Sequence, residues 1–445
     1  MRRICRFLLI SGLTLLSNQV YSQIVPASYE VATWSGFRTA AISYTFDDGC
    51  TNQLKIAVPL FDKYGFKLTL FTITSWVTDW SALKLAAANG HEVASHTVTH
   101  PNFRNITLQQ KKAELQNSKD TIESHITNKK CITLAYPYCA TGNDSACSKY
   151  YISARGCQGF IEPKTPGSYF NISSVAGGNL GVINTLNDFK SRFTSVANTN
   201  GWCVFLFHGI DNDSGYSPVT SSELTRSIVY LSVRKSKFWV TTFLNATLYS
   251  KERDAAKITE TSVTDSAIAL NVSDTLPDSI YNFPLSLRFT LPANWPSANV
   301  TQNNVKVPIR IVLVDSVVYL TFDIIPNAGV VILTKNLTPV TPDVDTLPAD
   351  DADPVGIQQP KKMGSEIRAV FNNGKLLISL SYISNKKLIV SLYDIRGIEL
   401  FSQKTGYIKE KEISIDLNKY TLKSGVYFVD ISNGKSSLSK QIIIS

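Results

Sequence analysis

Two adjacent carboxylates, Asp47 and Asp48, followed by Gly49, end a short apolar run from Thr39 to Phe46. Neighbouring carboxylates repel unless a cation or separate tasks keep both charged, so one can bind a metal while the other takes a proton. The chain has only five histidines, and three of them, His91, His96 and His100, fall within ten residues. A spacing of four brings His96 and His100 to one side of a helical turn. Joined to one aspartate they form a two-histidine, one-carboxylate set that leaves coordination positions open for water and substrate. A further histidine, His208, directly follows the apolar run Trp202 to Phe207. His91 precedes its strand and reads as structural, and His125, on the polar part of a helix, receives no role.

The surrounding elements must bring these groups together. Thr39 to Phe46 and Leu68 to Ile73 read as buried strands, being short, β-branched and continuous rather than alternating. Further strands are expected at Cys131 to Tyr136, Trp202 to Phe207 and Phe238 to Phe243. Thr107 caps a helix through Leu108, Leu115, Ile122 and Ile126, and Thr220 to Ser222 cap another through Leu224, Ile228 and Leu231. Strands alternating with helices between residues 37 and 253 predict an α/β barrel or doubly wound sheet. In a barrel, residues at the carboxyl ends of strands are the ones that meet substrate.

Beyond residue 253 the pattern changes. Residues 258–335 carry β-rich runs separated by Pro284, Pro292, Pro296 and Pro326 and predict a small antiparallel sandwich. Residues 336–364 form a linker rich in proline and aspartate, with little to bury. Residues 365–445 return to alternating strands as a third, all-β module. At the other end, Arg2, Arg3 and Arg6 precede an apolar run from Phe7 to Leu16, too short to span a bilayer, and Val20-Tyr21-Ser22 suits a signal peptidase. Residues 1–22 therefore read as a cleaved signal peptide. No later segment reads as a membrane span.

The formal charge is +9, but those three arginines supply three charges and residues 365–445 a net five. The region from 23 to 364 is close to neutral, which argues against nucleic acid as a partner. Six of the seven cysteines lie between Cys50 and Cys203. An even set in an exported domain suggests up to three disulfides. Cys139 is expected to bridge Cys147 or Cys157, its neighbours in one polar, glycine-containing stretch, with free buried thiols as the alternative.

The segments Thr45-Phe46-Asp47-Asp48-Gly49, Ser95 to His100 and Leu206-Phe207-His208, in that order, resemble the polysaccharide deacetylases of the NodB homology domain, carbohydrate esterase family 4. The resemblance implies a distorted (β/α) barrel with fewer than eight strands, here followed by two small all-β sandwich domains, and one divalent metal, usually zinc. It implies that Asp48, His96 and His100 bind the metal, that Asp47 is the general base and that His208 is the general acid. Pro137 and Tyr138 match the Pro-Tyr of a third motif, whose Tyr138 backbone N–H would stabilise the oxyanion. Leu206 would line the pocket for the acetyl methyl. The arginine expected two residues before the proline is Ala135, and Arg155 is the candidate replacement for orienting Asp47. No Asp-x-x-Asp-Trp motif is found. Residues 365–445 resemble the type A sorting domain of type IX secretion, through Val390 to Gly397, Leu422 to Tyr427 and Lys440 to Ile444.

On this reading the protein is a secreted or cell-surface deacetylase acting on an acetylated polysaccharide, passed outward by type IX secretion machinery. The motifs do not separate N-acetyl cleavage, as on chitin or peptidoglycan, from O-acetyl cleavage, as on xylan. Two readings compete: a non-catalytic glycan-binding protein on a decayed barrel, and a non-haem iron oxygenase using the same triad. Asp47 and His208 have no task in the latter.

Overall fold

The computed structural model describes residues 29–344, apart from 142–143 and 293, and the strands and turns of 367–444 outside 373, 381–386, 395–398, 408–411, 419, 421, 423–424 and 433–436. The signal segment, most of the linker and part of the sorting-domain motifs, including Ile395 to Gly397, lie outside the described residues. The chain divides into two compact units, residues 1–348 and 349–445.

In the first unit a parallel sheet of seven strands curls into a barrel: β1 (Ala40–Asp47), β2 (Thr69–Thr72), β3 (Glu92–Ser95), β4 (Thr133–Ala135), β5 (Ser153–Arg155), β6 (Val175–Ala176) and β7 (Trp202–Phe207), ordered β5-β4-β3-β2-β1-β7-β6. A parallel bridge links Arg155 of β5 to Ile172, three residues before β6. An eighth short strand, β8 (Phe238–Val240), pairs with the start of β1 through Ala40, Ala41 and Ile42. The closure is irregular, as a distorted barrel of fewer than eight ring strands predicts.

Strand alternation sorts the side chains. On β1 and β7, Ile42, Tyr44, Phe46, Phe205 and Phe207 face outward into a core shared with the helices α1 (Val58–Lys63), α2 (Ser81–Ala88), α4 (Leu186–Asn198) and α5 (Ser221–Ser232). Ala41, Trp202 and Val204 face the barrel interior with Phe71 and Ala135. Thr45, Asp47, Arg155 and Leu206 share these inward faces by the same period of two, and the strands therefore deliver them towards one end of the interior. The helix α3 (Leu108–His125) begins with the cap anticipated at Thr107, here a full capping box: its hydroxyl accepts from the Gln110 N–H while the Gln110 side chain accepts from the Thr107 N–H.

The opposite end is plugged by the helix α6 (Phe243–Ala255), with Phe243 against Phe71 and Trp202 at ring distances of 5.7 and 5.1 Å. The strand expected to run to Phe243 stops at Val240, because Thr242 caps α6 through its hydroxyl. One continuous apolar cluster passes from Trp202 through Tyr249 of α6 to Leu270, Leu287 and Leu333 of a two-sheet antiparallel sandwich. Its sheets contain Leu285–Thr290, Ile309–Val314 and Val317–Ile324 in one layer, and Ala267–Ser273, Ser297–Gln302 and Val331–Asn336 in the other. Tyr29–Val31, from before the barrel, adds a strand to the first layer.

The second unit is a separate all-β sandwich. Three strands, Ile367–Asn372, Lys375–Leu380 and Glu412–Asp416, face four, Lys387–Asp394, Glu399–Tyr407, Gly425–Ser432 and Ser437–Ile444, over a core that includes Ile378, Val390, Leu392 and Val429. Among the described residues no helix is long and apolar enough to cross a membrane.

Candidate active site at the carboxyl end of the barrel

The pleat of β1 would send Asp47 inward and Asp48 outward. Instead both meet the same histidine: His96 Nε2 lies 3.6 Å from Asp47 Oδ2 and 3.5 Å from Asp48 Oδ1. The cause is a left-handed backbone at Asp48 (φ 72°) and Gly49 (φ 76°), which swings the second carboxylate back over the barrel. Aspartate is among the few non-glycine types that tolerate this conformation. Thr97, His100, Tyr138 and Cys139 also have positive φ, so backbone strain gathers on the same rim.

The histidine pair converges, but not through a helical turn. His96 and His100 lie in a loop after β3, and hydrogen bonds shape it: Ser95 Oγ accepts from the Thr97 N–H, and Thr97 Oγ1 from the His100 N–H. Glu114 on α3 receives the N–H groups of Val98 and Thr99 and the Thr99 hydroxyl. The histidine spacing is thus met by side-chain capping where a helix would have cost the site its strand-end position. His96 donates Nδ1–H to the carbonyl of Ala135 at 2.8 Å, which leaves the Nε2 lone pair facing the aspartates. His100 Nε2 stands 3.7 Å from Asp48 Oδ1. Burial pushes the pKa of both rings down, favouring the neutral, ligand-ready form.

Arg155 is brought onto Asp47 from the end of β5: its Nη2 donates to Asp47 Oδ2 at 2.5 Å, and both side chains are buried. Its guanidinium lies over the Phe71 ring. Burial alone raises the Asp47 carboxyl, but Arg155, His96 and His208 outweigh it and hold it below the usual carboxylate range. Asp47 is therefore ionised, with Oδ1 left without a hydrogen-bond donor.

Pro137 and Tyr138 form the turn after β4, and the exposed Tyr138 ring sits 4.6 Å from His100. Among the described residues one disulfide, Cys139–Cys157, ties this turn to the segment just after Arg155. Cys157 is thus the partner where two were open. Cys50, Cys131, Cys147 and Cys203 form no disulfide, so one bridge stands of the up to three expected. Cys131 and Cys203 lie in the apolar core, and burial pushes both thiols well above the ordinary range. His208 follows β7 and stacks edge-on against Tyr216, 5.1 Å between rings; its Nδ1 is buried without a partner. Leu206 is buried on the interior face of β7. His91 bonds the Leu68 N–H and Asp62, and His125 stacks on Trp80, both away from the site.

Sequence reasoning missed Gln53. Its buried amide donates to the carbonyls of both Asp47, at 2.5 Å, and His208, at 2.9 Å, and so ties the ends of β1 and β7 together. The signal was a lone glutamine four residues after Gly49, visible only once the strand order is known.

A divalent cation fits the set Asp48, His96 and His100. These three offer ligand atoms within 4.8 Å of one another, and Asp48 Oδ1 is buried with no donor to satisfy it. Two neutral imidazoles and a carboxylate suit a borderline cation such as zinc.

Residues 36–151 match the family model described as polysaccharide deacetylase, and residues 372–445 the model described as secretion system C-terminal sorting domain. A stretch of 325 residues is 31% identical to a gellan lyase of a Bacillus species, covering 67% of this chain and 13% of that protein. Another, of 87 residues, is 34% identical to the "Probable peptidoglycan-N-acetylglucosamine deacetylase" of Arthroderma benhamiae, covering 19% of this chain and 20% of that one. The chain thus spans a small part of the curated relatives it matches. Among solved structures, the Xyl-CE4 domain of a multidomain xylanase from the hindgut metagenome of Trinervitermes trinervoides aligns with a TM-score of 0.35 and 19% identity, over 46% of this chain and 89% of that one. The chain thus carries a polysaccharide deacetylase domain over residues 36–151 and a secretion system C-terminal sorting domain over residues 372–445.

Proposed function

We propose that the protein is a secreted, metal-dependent hydrolase that removes acetyl groups from a polysaccharide. The observation that carries this reading is the meeting of Asp48, His96 and His100 beside an ionised Asp47 held by Arg155. Asp48, His96 and His100 would hold a cation, zinc by the chemistry of these donors, which would lower the pKa of a bound water towards 7 and polarise a carbonyl oxygen. Asp47 is the general base: its free Oδ1 takes a proton from the attacking water, and Arg155 is the positioning residue that keeps its other oxygen fixed. The Tyr138 backbone N–H donates to the developing oxyanion, with Pro137 setting the turn, a contribution of about a hundred- to a thousandfold for one such donor. His208 protonates the departing amine or alkoxide, and Leu206 receives the acetyl methyl. Without that proton, amide cleavage stalls at a poor leaving group. The sorting domain fits handling by type IX secretion machinery and delivery to the surface or outside.

The test is acetate release by the purified protein from acetylated xylan, chitin oligosaccharides and peptidoglycan. Release from at least one, lost with a chelator and restored by zinc, is the expected result. No release from any of the three by zinc-loaded protein would sink the reading.

A further inference from the structure

At the end of the barrel opposite the carboxylates, a cleft of about 610 Å3 opens between the turn Ser35–Phe37 and the sandwich sheet. Its volume is that of a small-molecule site, and the seam between two domains is a usual place for one. Four basic side chains, Arg38, Lys235, Arg288 and Arg310, line it against a single acid, Asp323. Because residues 23–364 as a whole are near neutral, this is a local concentration of cations and not a general basicity.

The cleft is built rather than incidental. Phe37 is held at φ 59° beside Gly36 at φ 71°, and the Gly36 N–H donates to Ser286 Oγ, whose hydroxyl donates to Asp323. Arg38 is anchored through Nε to the Lys235 carbonyl and through Nη1 to the Ser35 carbonyl, each at 2.7 Å. These two bonds leave its Nη2 free for another acceptor. Arg288 is stacked between the rings of Phe37 and Tyr319 and paired to Glu30. Arg310 is 69% exposed and, among the described residues, pairs with the exposed Asp343, at 3.3 Å. A surface pair of this kind is worth little and is readily exchanged for a ligand carboxylate. Guanidinium groups match a carboxylate through paired N–H donors better than ammonium groups do.

We propose that this cleft is a second glycan site, which binds a carboxylate-bearing sugar of an anionic polysaccharide through Arg38 and Arg310. The site lies away from the barrel's metal set and anchors the polymer without taking part in the chemistry. It rests on the deacetylase reading for the kind of ligand, and its test reads binding and not acetate release, so the two can fail separately.

Calorimetric titration of the full chain, with a chelator present to silence the barrel site, tests it using trigalacturonate, cellotriose and dextran sulfate as probes. Trigalacturonate should bind one to one and cellotriose should not. Arg310→Glu, on an exposed side chain, should weaken trigalacturonate about tenfold or more while leaving the melting temperature unchanged. Arg38→Gln should weaken it likewise. Equal binding of cellotriose, no binding of trigalacturonate, or an unchanged affinity in Arg310→Glu would each overturn the proposal. So would dextran sulfate binding at least as tightly as trigalacturonate, which would mark an unselective polyanion surface.

Discussion

Both ends of the barrel bury carboxylates, yet they treat them in opposite ways. At the carboxyl end Asp47 meets an arginine and two histidines and is held below the usual carboxylate range. At the amino end Glu92 meets only neutral donors: the hydroxyls of Thr69 and Thr133 and the Leu244 N–H at the start of α6. Burial pushes Glu92 up, and those bonds offset it only in part. Close by, on the far side of α6, Glu252 is pushed up to about 7 by burial, with Asp274 and Asp278 adding to the rise. Burial is common to all three groups, so burial does not decide the charge state. The nearby cation does. One rim keeps a charge for chemistry, and the other keeps carboxyls that close a helix end and a domain seam.

The sharpest way to break the contrast is to remove the cation. Arg155→Met would leave Asp47 buried and unpaired, which costs about 3–5 kcal/mol when one partner of a buried pair is lost. The variant should melt well below the parent and release acetate at least about a hundredfold more slowly. A folded variant with near-parental turnover would show that Arg155 neither positions nor charges Asp47. Gln53→Leu is a milder cut. It removes the donor shared by the Asp47 and His208 carbonyls, and leaving those acceptors unsatisfied costs about 1–3 kcal/mol. Turnover should fall about tenfold with metal content, read by elemental analysis, unchanged. Loss of metal instead would place Gln53 in support of the ligands and not of the strand ends.

These two residues also mark what could be read from the chain alone. Asp47, Asp48, His96, His100 and His208 were legible because each ends a strand or follows one within a few residues, and strand ends meet in a barrel whatever the loops do. The sandwich was legible through its proline spacing, and the helices α3 and α5 through Thr107 and Thr220. Three things were not. For the histidine loop a spacing of four predicts a helical turn, yet the same spacing serves loops that Ser95, Thr97 and Glu114 pin from the side. Gln53 carries no pattern; its worth comes from two carbonyls 6 and 155 residues away in sequence. The cationic cleft draws on residues 38, 235, 288 and 310, which only the packing of α6 and the sandwich against the barrel brings together.

Glu252 gives the smallest effect and the finest test, because its sign depends on pH. Its Oε1 accepts from the Phe283 N–H at 2.7 Å, and its Oε2 is buried without a donor. The folded pKa, about 7, stands above the ordinary 4.5 that the unfolded chain retains. Between those values the folded protein keeps a proton that the unfolded chain gives up, so stability falls as pH rises through the window. Above about 7 the whole penalty is present, and below about 4.5 it vanishes. Glu252→Gln keeps an acceptor for Phe283 and removes the ionisation. Relative to the parent it should therefore melt higher at pH 8, by roughly 2 °C for each kcal/mol in a unit of this size, with the difference shrinking towards pH 5. An equal shift at both pH values would assign the effect to packing. A lower melting temperature at pH 8 would mean that the charged carboxylate is paired there, and the amino end of the barrel would then handle its acids as the carboxyl end does.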